Sequence, residues 1–148
     1  MGKKSLTKPV EILLVEDNPG DIRLTEEALS ERKAHVHLSV VRDGAEATDF
    51  LHRRGKYAQA PQPNIILLDL KLPKKDGLEL LAEIKAHERL RRIPVVVLTT
   101  SSAPDDILKA YDLQASCYIT KPADLDQFVQ VVKSVEDFCL TVAKLPGE

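Results

Sequence analysis

Short, unbroken apolar runs recur along the chain, and four of them end on reactive polar residues. Such β-branched runs are typical of strands buried on both faces, as in a parallel sheet covered by helices. In open α/β sheets the ligand crevice lies beyond the carboxyl ends of the strands. We therefore expect three carboxylates, a hydroxyl and an ammonium group to converge on one crevice. The runs and their polar ends are 12–15 with Glu16 and Asp17, 65–68 with Asp69, 95–98 with Thr99 and Thr100, and 117–120 with Lys121.

Helix-start signals alternate with these strands and with a weaker strand pattern at 37–41. Four of them combine a capping side chain with a proline or an acidic residue within the first turn, and the fifth is a capping side chain alone. The predicted starts are Asn18 with Pro19, Asp43 with Glu46, Asp76 with Glu79, Ser102 with Pro104, and Asp124. The last helix carries an apolar stripe that is longer than a small sheet can cover, so we expect its end to meet a partner. The stripe comprises Leu125, Phe128, Val132, Val135, Cys139 and Val142.

The alternation predicts one (βα)5 domain over 10–138, with a head at 1–9 and a C-terminal extension of the last helix and tail at 139–148. A chain of 148 residues suits a single core. With 43% hydrophobic residues and a formal net charge of −2, it resembles neither a disordered chain nor a strongly basic nucleic-acid binder. The sequence has no apolar run long enough for a membrane span and no apolar signal segment, so we expect a cytoplasmic protein with reduced cysteines.

The converging groups indicate phosphoryl chemistry. Crowded carboxylates repel one another unless their pKa values rise or a cation neutralises them, and hard oxygen ligands in this number suit Mg²⁺. An ionised carboxylate can act as a nucleophile, while Lys121 and Thr99 can contact phosphoryl oxygens. Phosphoryl transfer needs mainly positioning and charge neutralisation. The pattern therefore favours a Mg²⁺-dependent phosphoryl acceptor over a hydrolase of carbon substrates.

Four segments in this order and spacing resemble the receiver domain of two-component response regulators. They are 14–18, 68–77, 94–99 and 118–122, and the likeness extends over about 10–138. The resemblance implies a flavodoxin-like, doubly wound parallel sheet with strand order 2-1-3-4-5. It also implies a signalling phosphoacceptor that catalyses only its own phosphorylation and dephosphorylation, rather than a metabolic enzyme.

The resemblance assigns Asp69 as the phosphoacceptor. Asp17 and Asp69 would bind Mg²⁺ or Mn²⁺ directly, Glu16 would hold a metal-bound water, and the backbone carbonyl of Lys71 would be a further ligand. Haloacid dehalogenase chemistry would require a second aspartate two residues after the nucleophile, where this chain has Lys71. We therefore set that phosphatase or mutase interpretation aside.

The same resemblance assigns Thr99 and Lys121 to the phosphoryl group and pairs Thr99 with Tyr118 as a switch. From the residues alone, Tyr118 would equally be a half-buried core aromatic. The Lys121–Pro122 bond is often cis in this family, which would aim the lysine inward. The side chains of Lys71 and Ser101 should border the approach of hydrolytic water and so set the lifetime of the phosphorylated state.

A narrower likeness concerns the segments 55–57, 60–64, 138–140 and 145–146, which resemble the stand-alone regulators that partner bacterial and cyanobacterial phytochrome kinases. It implies a sensor histidine kinase as partner, with a bacteriophytochrome as the candidate. A histidine phosphotransfer protein is a further candidate partner. It also implies a homodimer through the fourth helix, fifth strand, fifth helix and C-terminal extension. No nucleic acid or membrane partner is expected.

Two functional classes remain open from the sequence. One is a phosphorylatable signalling module, and the other is a protein-interaction scaffold of the same fold that does not depend on phosphorylation. The complete set of acidic residues, hydroxyl and lysine favours the signalling module, because a scaffold would not need all of them.

Overall fold

The computed structural model describes residues 9–30 and 35–141, and side chains as far as Phe138. Strands and helices alternate through the described chain, with short 3₁₀ turns at Gly55–Tyr57 and Leu90–Arg92. The elements are β1 Val10–Val15, α1 Pro19–Leu29, β2 Val36–Val41, α2 Gly44–Leu51, β3 Ile65–Leu68, α3 Gly77–Ala86, β4 Val95–Thr99, α4 Pro104–Asp112, β5 Cys117–Thr120 and α5 Leu125–Thr141.

The strands form one parallel sheet in the order β2-β1-β3-β4-β5, so the predicted fold is confirmed. The register places Val15 beside Leu68, and Leu68 beside Val97. Backbone hydrogen bonds continue past the strand ends, where Asp69 N donates to Val15 O at 3.1 Å. The residues that follow β1 and β3 are therefore held side by side at the carboxyl edge of the sheet.

Both faces of the sheet are covered by helices, as the unbroken apolar runs predict. Leu13 and Ile66 point into one core cluster, whereas Ile12 and Leu67 point into the other. The first cluster includes residues of α2, α3 and α4, and the second includes residues of α1 and α5. Because apolar side chains alternate between two buried layers, the central strands β1, β3 and β4 lose almost all contact with water, whereas the edge strands β2 and β5 are only partly buried.

Four of the five predicted helix caps form hydrogen bonds to the first turn of the helix. The cap side chains accept from backbone N–H groups at 2.7 to 2.9 Å. They are Asn18, Asp43, Asp76 and Asp124.

The predicted cap at Ser102 is wrong. Helix α4 begins at Pro104, and the capping position is Ala103, which has no side chain to donate or accept a cap bond. Ser101 organises this turn instead: its Oγ accepts from Ala103 N at 3.3 Å and donates to Asp106 Oδ2 at 2.6 Å. The local hydrogen bonds of one serine hydroxyl thus replace a conventional cap.

The apolar stripe of α5 faces the core only in part. Phe128 and Val132 are buried and Val135 packs partly against the core, but Leu125 at the start of the helix is 64% exposed. The side chains of Cys139 and Val142 lie outside the described residues, as do most of the predicted head and extension. Within the part of the chain that is described, no helix is both long and apolar enough to cross a bilayer.

Candidate functional site

Three carboxylates gather where β1 and β3 end. Glu16, Asp17 and Asp69 can each offer an oxygen atom such that these atoms all lie within 4.8 Å of one another. Glu16 and Asp69 are buried, whereas Asp17 is exposed. The aligned strand ends bring these residues together, as the sequence pattern predicts.

The ammonium group of Lys121 lies inside this acidic group. Its Nζ is 2.7 Å from Glu16 Oε1, 2.7 Å from Asp21 Oδ2 and 3.1 Å from Asp69 Oδ2, and its side chain is only 5% exposed. The described residues contain no cis peptide bond, so the cis expectation for Lys121–Pro122 is wrong. Lys121 nevertheless points inward, because the backbone leaving β5 is held by a bond from Lys121 N to Thr99 O at 2.7 Å.

Asp21 is the site residue that the sequence reasoning missed. It lies in the first turn of α1, where an acidic residue is ordinarily explained by the helix dipole. The available signal was its position: the amino end of α1 directly follows Glu16 and Asp17, so its first turn must border the same crevice. An acidic residue in that turn is within reach of any cation placed there.

The electrostatics of the cluster reflect burial and crowding. The pKa of Glu16 is raised to about 7, mainly by burial and also by neighbouring Asp69, while the bond and charge of Lys121 oppose the shift. For Lys121, burial disfavours the charged ammonium, but its bonds to Asp21 and Glu16 outweigh that cost and raise its pKa above the usual range. A single ammonium among these carboxylates leaves excess negative charge, which suits a divalent cation.

Thr99 ends β4 with a side chain that is fully buried. Among the described residues its Oγ1 has no hydrogen-bond partner. An unpartnered buried hydroxyl is unusual and costly, so it calls for a specific explanation. A ligand oxygen bound in the crevice would supply the missing acceptor.

The loop that follows Asp69 is held tightly against the start of α3. Lys71 N donates to Asp69 Oδ1 at 3.2 Å, and Gly77 N donates to Leu70 O at 2.9 Å. A Cβ atom at Gly77 would lie only 2.4 Å from Asp69 O, so a larger residue would displace the loop. The side chain of Lys71 is exposed, and it borders a cavity of about 460 Å³ that Asp17 and Asp106 also line.

Tyr118 connects β5 to the segment after Thr99. Its Oη donates to the carbonyl of Ser101 at 2.8 Å, and its ring packs against the core as a half-buried side chain. Burial raises the pKa of the Tyr118 hydroxyl, which keeps it a hydrogen-bond donor. Since the hydroxyl of Ser101 donates to Asp106, one residue links Tyr118 with the first turn of α4.

The fold and this set of residues correspond to a known protein class. Residues 12–133 match the family model for the response regulator receiver domain. The chain belongs to the response regulator receiver domain family, and the predicted resemblance is confirmed.

The individual relatives are response regulators, and one of them is a phytochrome response regulator. The chain is 49% identical to response regulator Rcp1 of Synechocystis sp. over 139 residues, which cover 94% of this chain and 95% of Rcp1. The crystal structure of the phosphorylated cyanobacterial phytochrome response regulator RcpA is 54% identical with a TM-score of 0.92, covering 95% of this chain and 100% of RcpA. The Mn²⁺-bound structure of Rcp1 is 48% identical with a TM-score of 0.90, covering 94% of this chain and 100% of that one. The predicted likeness to this subfamily is therefore confirmed.

Proposed function

We propose that the protein is a signalling response regulator that accepts a phosphoryl group on Asp69 from a sensor histidine kinase. The observation that carries the proposal is the setting of Asp69: its carboxylate is 3.1 Å from the Lys121 ammonium. The neighbouring strand β4 ends at Thr99, whose buried hydroxyl has no partner among the described residues. A nucleophile, a positive charge and a free donor are the groups that phosphoryl transfer to a carboxylate needs.

In the proposed reaction, a carboxylate oxygen of Asp69 attacks the phosphorus of a phosphohistidine. An O–P bond forms as the P–N bond breaks, and the imidazole nitrogen keeps the electron pair of the broken bond and takes up a proton. Lys121 and Thr99 are the groups proposed to contact the phosphoryl oxygens. Each is tethered at a strand end, so little reorganisation is required at the moment of transfer.

The residues of the crevice fit a divalent cation such as Mg²⁺ or Mn²⁺. All three clustered groups are hard carboxylate ligands, and the relative Rcp1 has been solved with Mn²⁺ bound. We assign Asp17 and Asp69 as direct ligands, Glu16 as the holder of a metal-bound water, and the carbonyl of Lys71 as a further ligand. When bound, the cation would neutralise the carboxylates and the incoming phosphoryl oxygens.

The test is Asp69→Asn, a nearly isosteric change at a strand end. Wild type and variant are incubated with Mg²⁺ and either acetyl phosphate or a phosphorylated histidine kinase, and the phosphoryl group is detected by intact mass. We expect one added group on the wild type and none on the variant. Asp49→Asn, an exposed change on α2, is the control and should react like wild type. Equal phosphorylation of Asp69→Asn would contradict the assignment.

For the partner, we propose a phytochrome-type histidine kinase, because the similar protein RcpA is a cyanobacterial phytochrome response regulator. Its donor domain would act in the cytoplasm, which is where we place this protein. We propose output through homodimerisation or partner binding on the face formed by α4, β5 and α5, or through relay to a histidine phosphotransfer protein.

A phosphorylation-independent scaffold is the second candidate function. The observation that favours it is the exposed apolar side chains on α4 and α5, Leu108, Tyr111 and Leu125, which could bind a partner in either state. Beryllofluoride with Mg²⁺, which mimics the phosphoryl group, separates the two. A signalling module changes its partner affinity when beryllofluoride binds, whereas a scaffold does not.

A further inference from the structure

Asp21 differs from the other carboxylates that contact Lys121. It lies 2.7 Å from the ammonium, as close as Glu16, yet it does not belong to the group of Glu16, Asp17 and Asp69 that could hold a metal ion. Asp21 therefore contacts Lys121, but it is not one of the carboxylates that could bind the divalent cation.

Lys121 and a divalent cation need the same oxygen atoms. In this structure the ammonium is bound to Glu16 and Asp69, two of the three carboxylates that would hold the metal. An ammonium group has three donors, and here three carboxylates accept from them. A cation that takes Glu16 and Asp69 therefore removes two of the partners of a buried charge, which is costly unless another partner remains.

We propose that Asp21 is a positioning residue that retains Lys121 when a divalent cation displaces it from Glu16 and Asp69. The proposal rests on the metal-dependent function proposed above and extends it to regulation of the same site. The Asp21–Lys121 pair keeps the ammonium partnered in both states, so that metal binding does not leave it buried and alone. Lys121 then stays at the edge of the crevice, within reach of a phosphoryl group on Asp69.

Hydrogen bonds to the backbone of Asp21 hold this residue in a fixed position. Asp21 N donates to Asn18 Oδ1 at 2.9 Å, and Asp21 O accepts from Thr25 Oγ1 at 2.8 Å. The carboxylate is thus mounted on a capped helix turn, and its side chain is 23% exposed. Partial exposure keeps this carboxylate in contact with water while its partner is buried.

The experiment measures Mn²⁺ affinity of the full chain by electron paramagnetic resonance titration. The proteins are wild type, Asp21→Asn, Lys121→Met and the double variant, with Glu26→Gln as an exposed charge-loss control on the same helix. We expect Asp21→Asn to weaken Mn²⁺ binding by about tenfold or more, as breaking a close charge pair does elsewhere. Asp21→Glu, which keeps the carboxylate, should recover part of the loss.

The double variant shows whether Asp21 acts by holding Lys121 in place or only by adding negative charge near the metal site. If Asp21 acts through Lys121, Asp21→Asn should change Mn²⁺ affinity by no more than about twofold in the Lys121→Met background, because the coupled partner is absent. Equal losses in both backgrounds, or no loss in either, would overturn the proposal. Tight wild-type binding with an unaffected Asp21→Asn would overturn only the role of Asp21. A wild type that binds no Mn²⁺ would overturn the proposed function as well.

Discussion

The buried hydroxyl of Thr99 should lower the stability of the metal-free protein, and it is also the group that we propose as a donor to a phosphoryl oxygen. This hydroxyl is buried without a partner among the described residues, so the near-isosteric Thr99→Val should stabilise the metal-free protein by about 1 kcal/mol. The same change should weaken beryllofluoride binding, because it removes the hydroxyl that we propose as a donor to the phosphoryl oxygens. Urea unfolding with and without beryllofluoride measures both effects.

Thr25→Val is the matched control for this prediction. The hydroxyl of Thr25 is also buried, but it donates to Asp21 O at 2.8 Å, so its loss should destabilise the protein by about 0.5–1.5 kcal/mol. If Thr99→Val stabilises the protein and Thr25→Val destabilises it, the opposite signs would identify the lack of a hydrogen-bond partner as the cause of the Thr99→Val effect. A destabilised Thr99→Val would show that its hydroxyl is satisfied in solution.

Lys71 is predicted to prolong the phosphorylated state. Its backbone N–H donates to Asp69 Oδ1 and its side chain is exposed, so we expect the side chain to cover a phosphoryl group on Asp69 and attract its oxygens. Lys71→Asn should admit water and shorten the half-life of phospho-Asp69 several-fold, measured by intact mass after removal of the donor. Lys74→Asn is the control, since this exposed lysine has a positive φ of 69° that asparagine tolerates. Equal half-lives for wild type and Lys71→Asn would rule out shielding.

At the residue scale, the sequence predicts side chains that follow strands better than those on helices. Glu16, Asp69 and Lys121 could be placed together because parallel strands end at one edge. Asp21 could not, since an acidic residue in a first helical turn already has a sufficient explanation. The hydrogen bond from the Tyr118 hydroxyl to a backbone carbonyl could not be predicted from the sequence either, because the side-chain pattern does not show where carbonyl groups point.

At the scale of elements, the start of α2 supports the loop that carries Lys71. A Cβ atom at Gly44 would lie 2.2 Å from Lys75 O, and Lys75 Nζ donates to Thr48 Oγ1 on α2 at 2.9 Å. Gly44→Ala should therefore push the loop away, destabilise the protein by about 1–3 kcal/mol and weaken Mn²⁺ binding. Urea unfolding and Mn²⁺ titration test both expectations.

Gly20→Ala provides the comparison for that substitution. Gly20 also lies in a first helical turn, but its nearest neighbour would be the Asn18 side chain at 3.2 Å, a contact that small movements relieve. It should keep metal affinity near that of wild type. If Gly44→Ala also binds Mn²⁺ normally, the loop is not positioned by α2.

Most element boundaries follow from the sequence because a cap or a strand end marks them. The start of α4 is the exception, since Ser101 satisfies the turn from an unexpected position and Ala103 occupies the cap. The exposure of Leu125 could not be predicted from helical periodicity either. Periodicity identifies the apolar face of a helix, but it does not show where neighbouring elements stop covering that face.

At the scale of the whole molecule, exposed apolar side chains lie on the two helices next to β5. Leu108 is 61% exposed and Tyr111 48% exposed on α4, and Phe138 is 56% exposed near the end of α5. If the proposed homodimer forms through this face, Leu108→Glu should lower the dimer fraction in sedimentation velocity runs, with and without beryllofluoride, by placing a charge in an apolar contact. Ala86→Glu, at an exposed position on α3, should sediment like wild type. Unchanged sedimentation of Leu108→Glu would exclude α4 from the dimer contact.

The three carboxylate partners of Lys121 also bear on how such a protein evolves. Replacement of Asp69 or Glu16 by a neutral residue still leaves the lysine with two anions, so we expect the mutant chain to fold. A duplicated gene that loses its phosphoacceptor would therefore yield a folded product rather than an aggregate. Changes in the surface residues of this copy could then be selected for a new regulatory role. The copy would remain available for such changes because Lys121 has more than one anionic partner.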